Sequence, residues 1–253
     1  MDIVTRLRAA GCVFAEDEAE LLLGAAAAPA ELESMVDRRV AGEPLEYIVG
    51  WAEFRGLRIA VEPGVFVPRR RTEFMVERAS KLVPPGGVVV DLCCGTGAIG
   101  VAATTGMSDF ELYAGEIDPN AVHCARRNVE PVGGQVFQGD LYDALPVTLR
   151  GRVDVLLVNA PYVPTDEIAM MPPEARDHEA RVALDGGSDG LDLHRRVALD
   201  APTWLRPGGH VLVETSARQA ATTQRLLTDA GLEAGVEHSE EVDGTIAVGR
   251  RPI

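Results

Sequence analysis

The sequence predicts an α/β fold in which a seven-stranded, mainly parallel sheet follows a small N-terminal helical domain. Two observations support this prediction. Strand-like and helix-like patterns alternate from about residue 72 to the C-terminus, as in sheets with helices on both faces. The last two predicted strands, in contrast, are separated by only a few residues after Glu240. Because a parallel connection needs a long crossover, these two strands are expected to form an antiparallel hairpin.

The N-terminal third is predicted to contain helices and one hairpin. Apolar residues recur at helical spacing up to about residue 42, and Pro29 marks a break between helices. The stretch 54–67 alternates apolar and polar residues, which predicts a hairpin with its turn at 62–64. We therefore divide the chain into three parts: a helical domain at 1–52, a β-hairpin linker at 53–71 and an α/β domain at 72–253.

Apolar runs bounded by turn residues predict the seven strands of the sheet. The predicted strands are 87–92, 111–117, 134–138, 153–158, 208–215, 231–238 and 244–250. The predicted helices between them are 72–83, 98–105, 119–129, 190–205 and 217–230. The segment 165–189 is long for a connection in a compact domain. Long loops are often functional, so we expect a lid or a wall of the substrate site.

The composition excludes several classes of function. A net charge of −15, from 24 basic and 39 acidic residues, disfavours direct binding of nucleic acid but permits a basic protein partner. There is no run of 18 apolar residues and no signal-peptide pattern, so a cytoplasmic protein without membrane contact is expected. The four cysteines include no Cys-x-x-Cys pair and the five histidines show no ligand spacing. We expect reduced thiols and no metal site.

The most informative motif is Asn159-Ala160-Pro161-Tyr162, which follows the buried strand predicted at 153–158. Ligands of open α/β sheets bind at the carboxyl ends of the strands. The Asn159 amide and the Ala160 carbonyl can accept both N–H bonds of a planar NH2 group, and the Tyr162 ring can pack beside it. Pro161 restrains Ala160 to extended geometry and so directs its carbonyl. We predict that all four residues bind the acceptor and that Asn159 and Tyr162 are catalytic.

A glycine-rich turn after the first strand of the sheet predicts a cofactor site. Gly95, Gly97 and Gly100 satisfy the pattern of dinucleotide-binding turns, which by itself would favour NAD. Asp91, at the end of that strand, favours S-adenosyl-L-methionine. A carboxylate there would repel a diphosphate, whereas it can meet the ammonium group of S-adenosylmethionine directly or through water.

Two further acids are predicted to end the next two strands, at the same edge of the sheet. Glu116 can accept the ribose hydroxyls, and Asp140 can accept the adenine amino group with Leu141 against the ring. An acid also binds the ribose in NAD enzymes, so Glu116 alone does not distinguish the two cofactors. The three acids together are stronger evidence for S-adenosylmethionine than each acid alone. The predicted cofactor-binding residues are Asp91, Cys93, Gly95, Gly97, Glu116, Asp140, Leu141 and Asn159.

These motifs resemble those of the HemK/PrmC family, glutamine N(5)-methyltransferases that modify the Gly-Gly-Gln loop of peptide-chain release factors. The tetrapeptide is similar to the Asn-Pro-Pro-Tyr motif of amide and amino-nitrogen methyltransferases. The similarity extends from about Gly42 to the C-terminus, and its blocks lie at 42–50, 66–73, 91–100, 159–162, 183–192 and 205–209. The resemblance implies a class I methyltransferase fold with a Rossmann-like sheet, S-adenosylmethionine as cofactor, a release factor as protein substrate and partner contacts by the helical domain.

Four features depart from the family pattern. Cys93 occupies the position of a glycine, Ala160 that of a proline, and Arg70-Arg71 that of a Pro-Glu pair. The N-terminal helical region is also shorter.

Two alternatives remain beside the glutamine methyltransferase: an amino-group methyltransferase acting on nucleic acid or a small molecule, and a non-catalytic cofactor-binding module. The acidity and the 183–187 block disfavour the first, and the retained Asn159 and Tyr162 disfavour the second. An NAD dehydrogenase ranks below both.

Overall fold

The computed structural model describes residues 2–253, so Met1 of the predicted helical domain lies outside the described residues. The predicted N-terminal helices are confirmed as α1 (Ile3–Ala9), α2 (Ala15–Ala25) and α3 (Pro29–Val40), and a further short helix, α4 (Leu45–Val49), follows the stretch predicted to be helical. Pro29 is the first residue of α3, where its fixed φ and missing N–H are tolerated. These four helices enclose a hydrophobic cluster of their own, which includes Leu7, Leu22 and Val36.

The predicted hairpin exists, but the prediction of its turn at 62–64 is wrong. Its strands are β1 (Trp51–Phe54) and β2 (Leu57–Ala60), so the turn consists of Arg55 and Gly56. Both turn residues have positive φ, 54° and 75°, as in the two-residue turns that match the twist of antiparallel strands. An arginine rarely adopts positive φ, so the sequence did not indicate a turn at this position.

The seven-stranded sheet with an antiparallel final hairpin is confirmed. Its strands are β3 (Gly87–Leu92), β4 (Phe110–Glu116), β5 (Gln135–Gln138), β6 (Val153–Val158), β7 (Leu205–Glu214), β8 (Glu233–Ser239) and β9 (Gly244–Arg250). The spatial order is β5-β4-β3-β6-β7-β9-β8, and β9 is antiparallel to both of its neighbours. The strand order reverses between β3 and β6, which creates the crevice where ligands of such sheets bind.

Helices cover both faces of the sheet because its central strands are apolar on both sides. They are α5 (Glu73–Ser80), α6 (Ala98–Thr104), α7 (Pro119–Val129), α9 (Asp192–Trp204) and α10 (Ala220–Asp229), whereas α8 (Pro173–His178) belongs to the segment between β6 and α9. Helices α5, α6 and α7 share one hydrophobic cluster with Val155 and Leu157 of β6, whereas α9 and α10 share another with Leu156 and Val158. No helix within residues 2–253 combines the length and apolar character that crossing a membrane requires.

The segment 165–189 contains short helical turns rather than irregular loop alone, with 3₁₀ turns at Thr165–Met170 and Arg181–Ala183 on either side of α8. Ion pairs attach this segment to the N-terminal part of the chain. Glu174 pairs with Arg39 of α3. Glu179 pairs with Arg69 and also accepts the N–H of Val67 at 3.1 Å. The segment is therefore attached to both the helical domain and the chain that follows the hairpin.

Two glycines flanking α6 provide a test of the packing around the glycine turn. Gly97 and Gly106 both have positive φ, but an added Cβ would lie 2.5 Å from Val129 Cγ2 at Gly97 and would meet nothing within 4 Å at Gly106. We expect Gly106→Ala to cost about 1 kcal/mol of unfolding free energy for the backbone alone. Gly97→Ala should cost about 2–4 kcal/mol because overpacking is added. Urea unfolding of both variants measures the difference, and equal losses would contradict the predicted clash.

Candidate active site

A cleft of about 160 Å³ lies at the carboxyl edge of the sheet, where β3, β4, β5 and β6 end. Six of the eight predicted cofactor-binding residues contribute to its walls, namely Cys93, Gly95, Glu116, Asp140, Leu141 and Asn159. Apolar side chains from other parts of the chain complete it, including Val65, Phe66 and Leu193. Asp91 and Gly97 lie outside the lining and support the turn that forms one side of the cleft.

The turn between β3 and α6 is sharp and tightly packed. Cys93, Gly95 and Gly97 all have positive φ, at 54°, 54° and 77°. Gly100, in the first turn of α6, allows that helix to approach the sheet, since an added Cβ would lie 2.9 Å from Leu112 Cδ1. Cys93 adopts a backbone geometry that is uncommon outside glycine.

Asp91 lies beneath this turn and is fully buried. Its Oδ2 accepts the N–H of Gly100 at 2.9 Å, while Oδ1 has no hydrogen-bond partner among the described residues. Burial, reinforced by the charge of Glu116, raises the pKa of Asp91 to about 8. The predicted contact of Asp91 with a ligand therefore stays a prediction, and the buried Oδ1 is the atom that could make it.

Glu116 is the last residue of β4 and connects that strand to the glycine turn. Its Oε2 accepts the N–H of Gly95 at 2.9 Å, and its Oε1 accepts the N–H groups of Ile117 and Asp118 at 2.8 and 3.0 Å. Burial raises its pKa, and these three hydrogen bonds oppose that shift. The hydrogen bonds fix the orientation of the carboxylate at the cleft wall.

Asp140 follows β5 and pairs with Arg196 of α9, with Asp140 Oδ2 accepting from Nη2 at 2.9 Å. Arg196 also lines the cleft, and the sequence analysis did not identify it because it comes from a distant helix with no motif around it. Leu141, beside Asp140, is buried and has a positive φ of 49°. This backbone conformation turns the chain at the cleft edge.

Residues 159–162 lie between the cleft and a smaller second pocket. We call this second pocket of about 40 Å³ the acceptor pocket; its lining residues are Phe66, Arg71, Asn159, Ala160, Pro161, Tyr162, Val163, Met171, Ala183 and Leu184. Asn159 lines both cavities, and its side chain makes no hydrogen bond to a described residue. The Ala160 carbonyl likewise accepts no hydrogen bond within residues 2–253. The prediction that these two oxygens accept the N–H bonds of a planar NH2 group stays a prediction.

Tyr162 is fixed at both ends by residues that the sequence analysis did not identify. Its hydroxyl donates to Glu214 Oε1 at 3.1 Å, and its carbonyl accepts from Gln219 Nε2 at 3.0 Å. Burial, followed by the charge of Glu214, raises the pKa of Tyr162, so the phenol is neutral near pH 7. Glu214 ends β7, so the rule that selected Asp91 and Glu116, an acid at a carboxyl end, could also have selected it.

The two arginines of the Arg70-Arg71 pair lie in different places. Arg71 lines the acceptor pocket, and its Nε donates to Glu214 Oε1 at 3.2 Å. Arg70 is exposed in a separate surface groove with Glu53 and Glu73.

No cluster of three or more His, Cys, Asp or Glu side chains suited to a metal occurs in residues 2–253, and the four cysteines carry free thiols.

Comparison with known proteins identifies the family. A family model described as the methyltransferase small domain matches residues 56–185. A release factor glutamine methyltransferase of Geobacter sulfurreducens is 39% identical over 204 residues, which cover 80% of this chain and 71% of that protein. This chain belongs to the release factor glutamine methyltransferase family. The resemblance found in the sequence is therefore confirmed.

One further relative and one solved structure add to this result. A 4-amino-L-phenylalanine/4-methylamino-L-phenylalanine methyltransferase of Streptomyces pristinaespiralis is 36% identical over 235 residues, covering 90% of this chain and 80% of that protein. The crystal structure of a methyltransferase from Pyrococcus furiosus matches with a TM-score of 0.59 at 16% identity, covering 78% of this chain and 90% of that one. The fold is thus the class I methyltransferase fold, and S-adenosylmethionine is the cofactor of this enzyme.

The pKa of Asp91 predicts how cofactor affinity depends on pH. Only the ionised carboxylate attracts the cofactor's ammonium group, and Asp91 ionises near pH 8 in the cofactor-free protein. Affinity should therefore rise between pH 6 and pH 7, below the range near 7.7–8.0 in which an α-amino group such as the cofactor's loses its own proton, by up to about tenfold per pH unit for one coupled proton. Calorimetric titration at about pH 6, 6.5 and 7 measures this slope. In Asp91→Asn, which keeps an acceptor for Gly100, the dependence should be nearly absent; an equal slope in both proteins would contradict the role of Asp91.

Proposed function

We propose that this enzyme transfers a methyl group from S-adenosylmethionine to a glutamine side-chain amide nitrogen, in the Gly-Gly-Gln loop of a peptide-chain release factor. The observation that carries the proposal is the position of Asn159, whose uncommitted amide lies on the wall shared by the cofactor cleft and the acceptor pocket. Most of the similar relatives are named release factor glutamine methyltransferases, which supports a release factor as the substrate.

The acceptor nitrogen needs activation because its lone pair is delocalised into the adjacent carbonyl. In our proposal the side-chain oxygen of Asn159 and the carbonyl of Ala160 accept its two N–H bonds. These hydrogen bonds increase electron density on nitrogen and direct its lone pair towards the cleft. Orientation of two reactants in this way can contribute about 7–11 kcal/mol to lowering the barrier. We assign no general base, since the nitrogen becomes acidic once it is methylated and can then lose its proton to water.

The residues of the cleft fit the cofactor, whose sulfonium supplies the methyl group when bound. The cofactor carries positive charge; the carboxylates of Glu116 and Asp140 line its predicted site, and Asp91 is buried beneath the adjoining turn. The buried Oδ1 of Asp91, which has no hydrogen-bond partner within residues 2–253, suits the ammonium group, directly or through one water. Glu116 would accept ribose hydroxyls, and Leu141 would pack on the adenine. Tyr162 would face the sulfonium, a cation–π contact of about 0.5–2 kcal/mol.

A second candidate function is methylation of an aromatic amine on a small molecule. The Streptomyces relative, named for 4-amino-L-phenylalanine, favours it. An aniline nitrogen also presents a planar NH2 group, so the oxygens of Asn159 and Ala160 could accept its N–H bonds equally well. The two candidates differ in what lies beyond the nitrogen: a protein loop in the first, and a ring with an amino acid group in the second.

Substitution of Asn159 should separate chemistry from cofactor binding. In Asn159→Ala the acceptor loses one of its two hydrogen-bond partners, and we expect kcat to fall on the order of 10²–10³-fold. Cofactor affinity, measured by calorimetry, should remain within a few-fold. Glu116→Ala is the matched comparison and should weaken the cofactor first. If Asn159→Ala retains near-normal turnover, Asn159 is structural and the active site is placed incorrectly.

The substrate is tested with intact release factor from the organism that encodes this chain. Incubation with S-adenosylmethionine should add the mass of one methylene group to the peptide that carries the loop glutamine, as detected by mass spectrometry. A factor with glutamate in place of that glutamine serves as control and should gain nothing. A parallel reaction contains 4-amino-L-phenylalanine. Methylation of this amine with an unmodified factor would replace the proposed substrate by the second candidate.

A further inference from the structure

Arg71 is the only charged residue among those that line the acceptor pocket within residues 2–253. Its side chain is 45% exposed. One of its donors, Nε, is used on Glu214, and the guanidinium also interacts with the phenol of Tyr162. Because a guanidinium has several further N–H donors, some remain available in a pocket whose other walls are mainly apolar.

Glu214 fixes the position of this guanidinium. The carboxylate is 2% exposed, and its Oε1 accepts from both Arg71 Nε and the Tyr162 hydroxyl. Because a guanidinium is planar and rigid, fixing Nε also fixes the directions of the terminal N–H bonds. The same carboxylate thus orients the arginine and the tyrosine on one side of the acceptor pocket.

The chemistry of the pocket defines what Arg71 can bind. A glutamine that enters from a protein loop brings main-chain carbonyl groups with it, and an apolar wall of Phe66, Met171 and Leu184 offers them no donor. A carbonyl that is buried without a partner is destabilising. The remaining terminal N–H groups of Arg71 can donate hydrogen bonds at this wall. Asn159 is not free to do so, because in the proposed function it binds the reacting amide.

We propose that Arg71 is a specificity-determining residue whose terminal NH2 groups donate to a main-chain carbonyl oxygen of the acceptor loop, while Nε stays on Glu214. This assignment rests on the proposed protein substrate. It makes acceptor recognition depend on the backbone beside the glutamine as well as on its side-chain amide.

A different explanation is that Arg71 only neutralises the buried charge of Glu214. Removal of one partner of a buried ion pair is destabilising, whereas removal of both can be nearly neutral. The pair of variants Arg71→Met and Arg71→Met/Glu214→Gln separates the two explanations. The double variant leaves no uncompensated carboxylate, and the side-chain amide oxygen that Glu214→Gln introduces could still accept from Tyr162.

The experiment measures kcat and KM for intact release factor, with the full-length enzyme at saturating S-adenosylmethionine. We expect Arg71→Met to raise KM about 10- to 100-fold, as for loss of hydrogen bonds from a charged donor, with a smaller change in kcat. Cofactor Kd from calorimetry should stay within about twofold, which also shows that the variant is folded. The double variant should retain the raised KM, and Arg70→Met, at the adjacent exposed arginine, should match the wild type.

Three outcomes would overturn the assignment. Recovery of a wild-type KM in the double variant would show that Arg71 only balances Glu214. An unchanged KM in Arg71→Met, with a wild-type enzyme that methylates the factor, would remove the assignment and leave the proposed function intact. A wild-type enzyme that instead methylates 4-amino-L-phenylalanine, with a KM that rises in Arg71→Met, would overturn both, because the arginine would then bind the carboxylate of a small acceptor.

Discussion

The active site depends on the hydrogen bond between the Glu116 carboxylate and the N–H of Gly95, which holds the glycine turn against the end of β4. Positive φ at alternate residues of the turn and the absence of a side chain at Gly100 allow the close approach of backbone that this bond requires. Asp91 supports the same turn from below through Gly100. Two carboxyl groups are therefore buried at the same turn, and the charge of Glu116 contributes to the raised pKa of Asp91. A bound cation would favour the ionised form of Asp91.

The two cavities that meet at Asn159 have opposite electrostatic character. Acidic side chains surround the cofactor cleft and suit a positively charged methyl donor. The acceptor pocket instead has the guanidinium of Arg71, which pairs with Glu214. In our proposal the methyl donor thus meets negative charge in the cleft, and the acceptor meets hydrogen-bond donors in the acceptor pocket. The neutral amide of Asn159 lies between them. An acceptor with a positive charge beside its nitrogen would be disfavoured by Arg71 and by the sulfonium together.

Most of the fold could be predicted because its signals are local. The strands 87–92, 153–158 and 244–250 are apolar runs with clear ends and match β3, β6 and β9. The position of the site followed from the carboxyl-end rule for parallel sheets. The errors and omissions have a different origin. The hairpin turn lies earlier than the alternation of apolar and polar residues indicated, because Arg55 adopts an unusual positive φ. Asp140 pairs with Arg196, which is 56 positions away in the sequence. Contacts of that range have no signature in a single sequence.

The departures from the family pattern divide between the two cavities in an informative way. Cys93, in the cofactor cleft, has a positive φ of 54°, which a glycine would adopt at lower cost. Ala160 and Arg71 both line the acceptor pocket. Ala160 lacks the ring of the proline in the family pattern, although Pro161 still restrains the backbone. Arg71 is positively charged where the family pattern has a negatively charged glutamate. The departures that change shape and charge therefore lie in the acceptor pocket. If the chemistry of the family is retained, what distinguishes this enzyme within it is how the chain around the reacting glutamine is recognised.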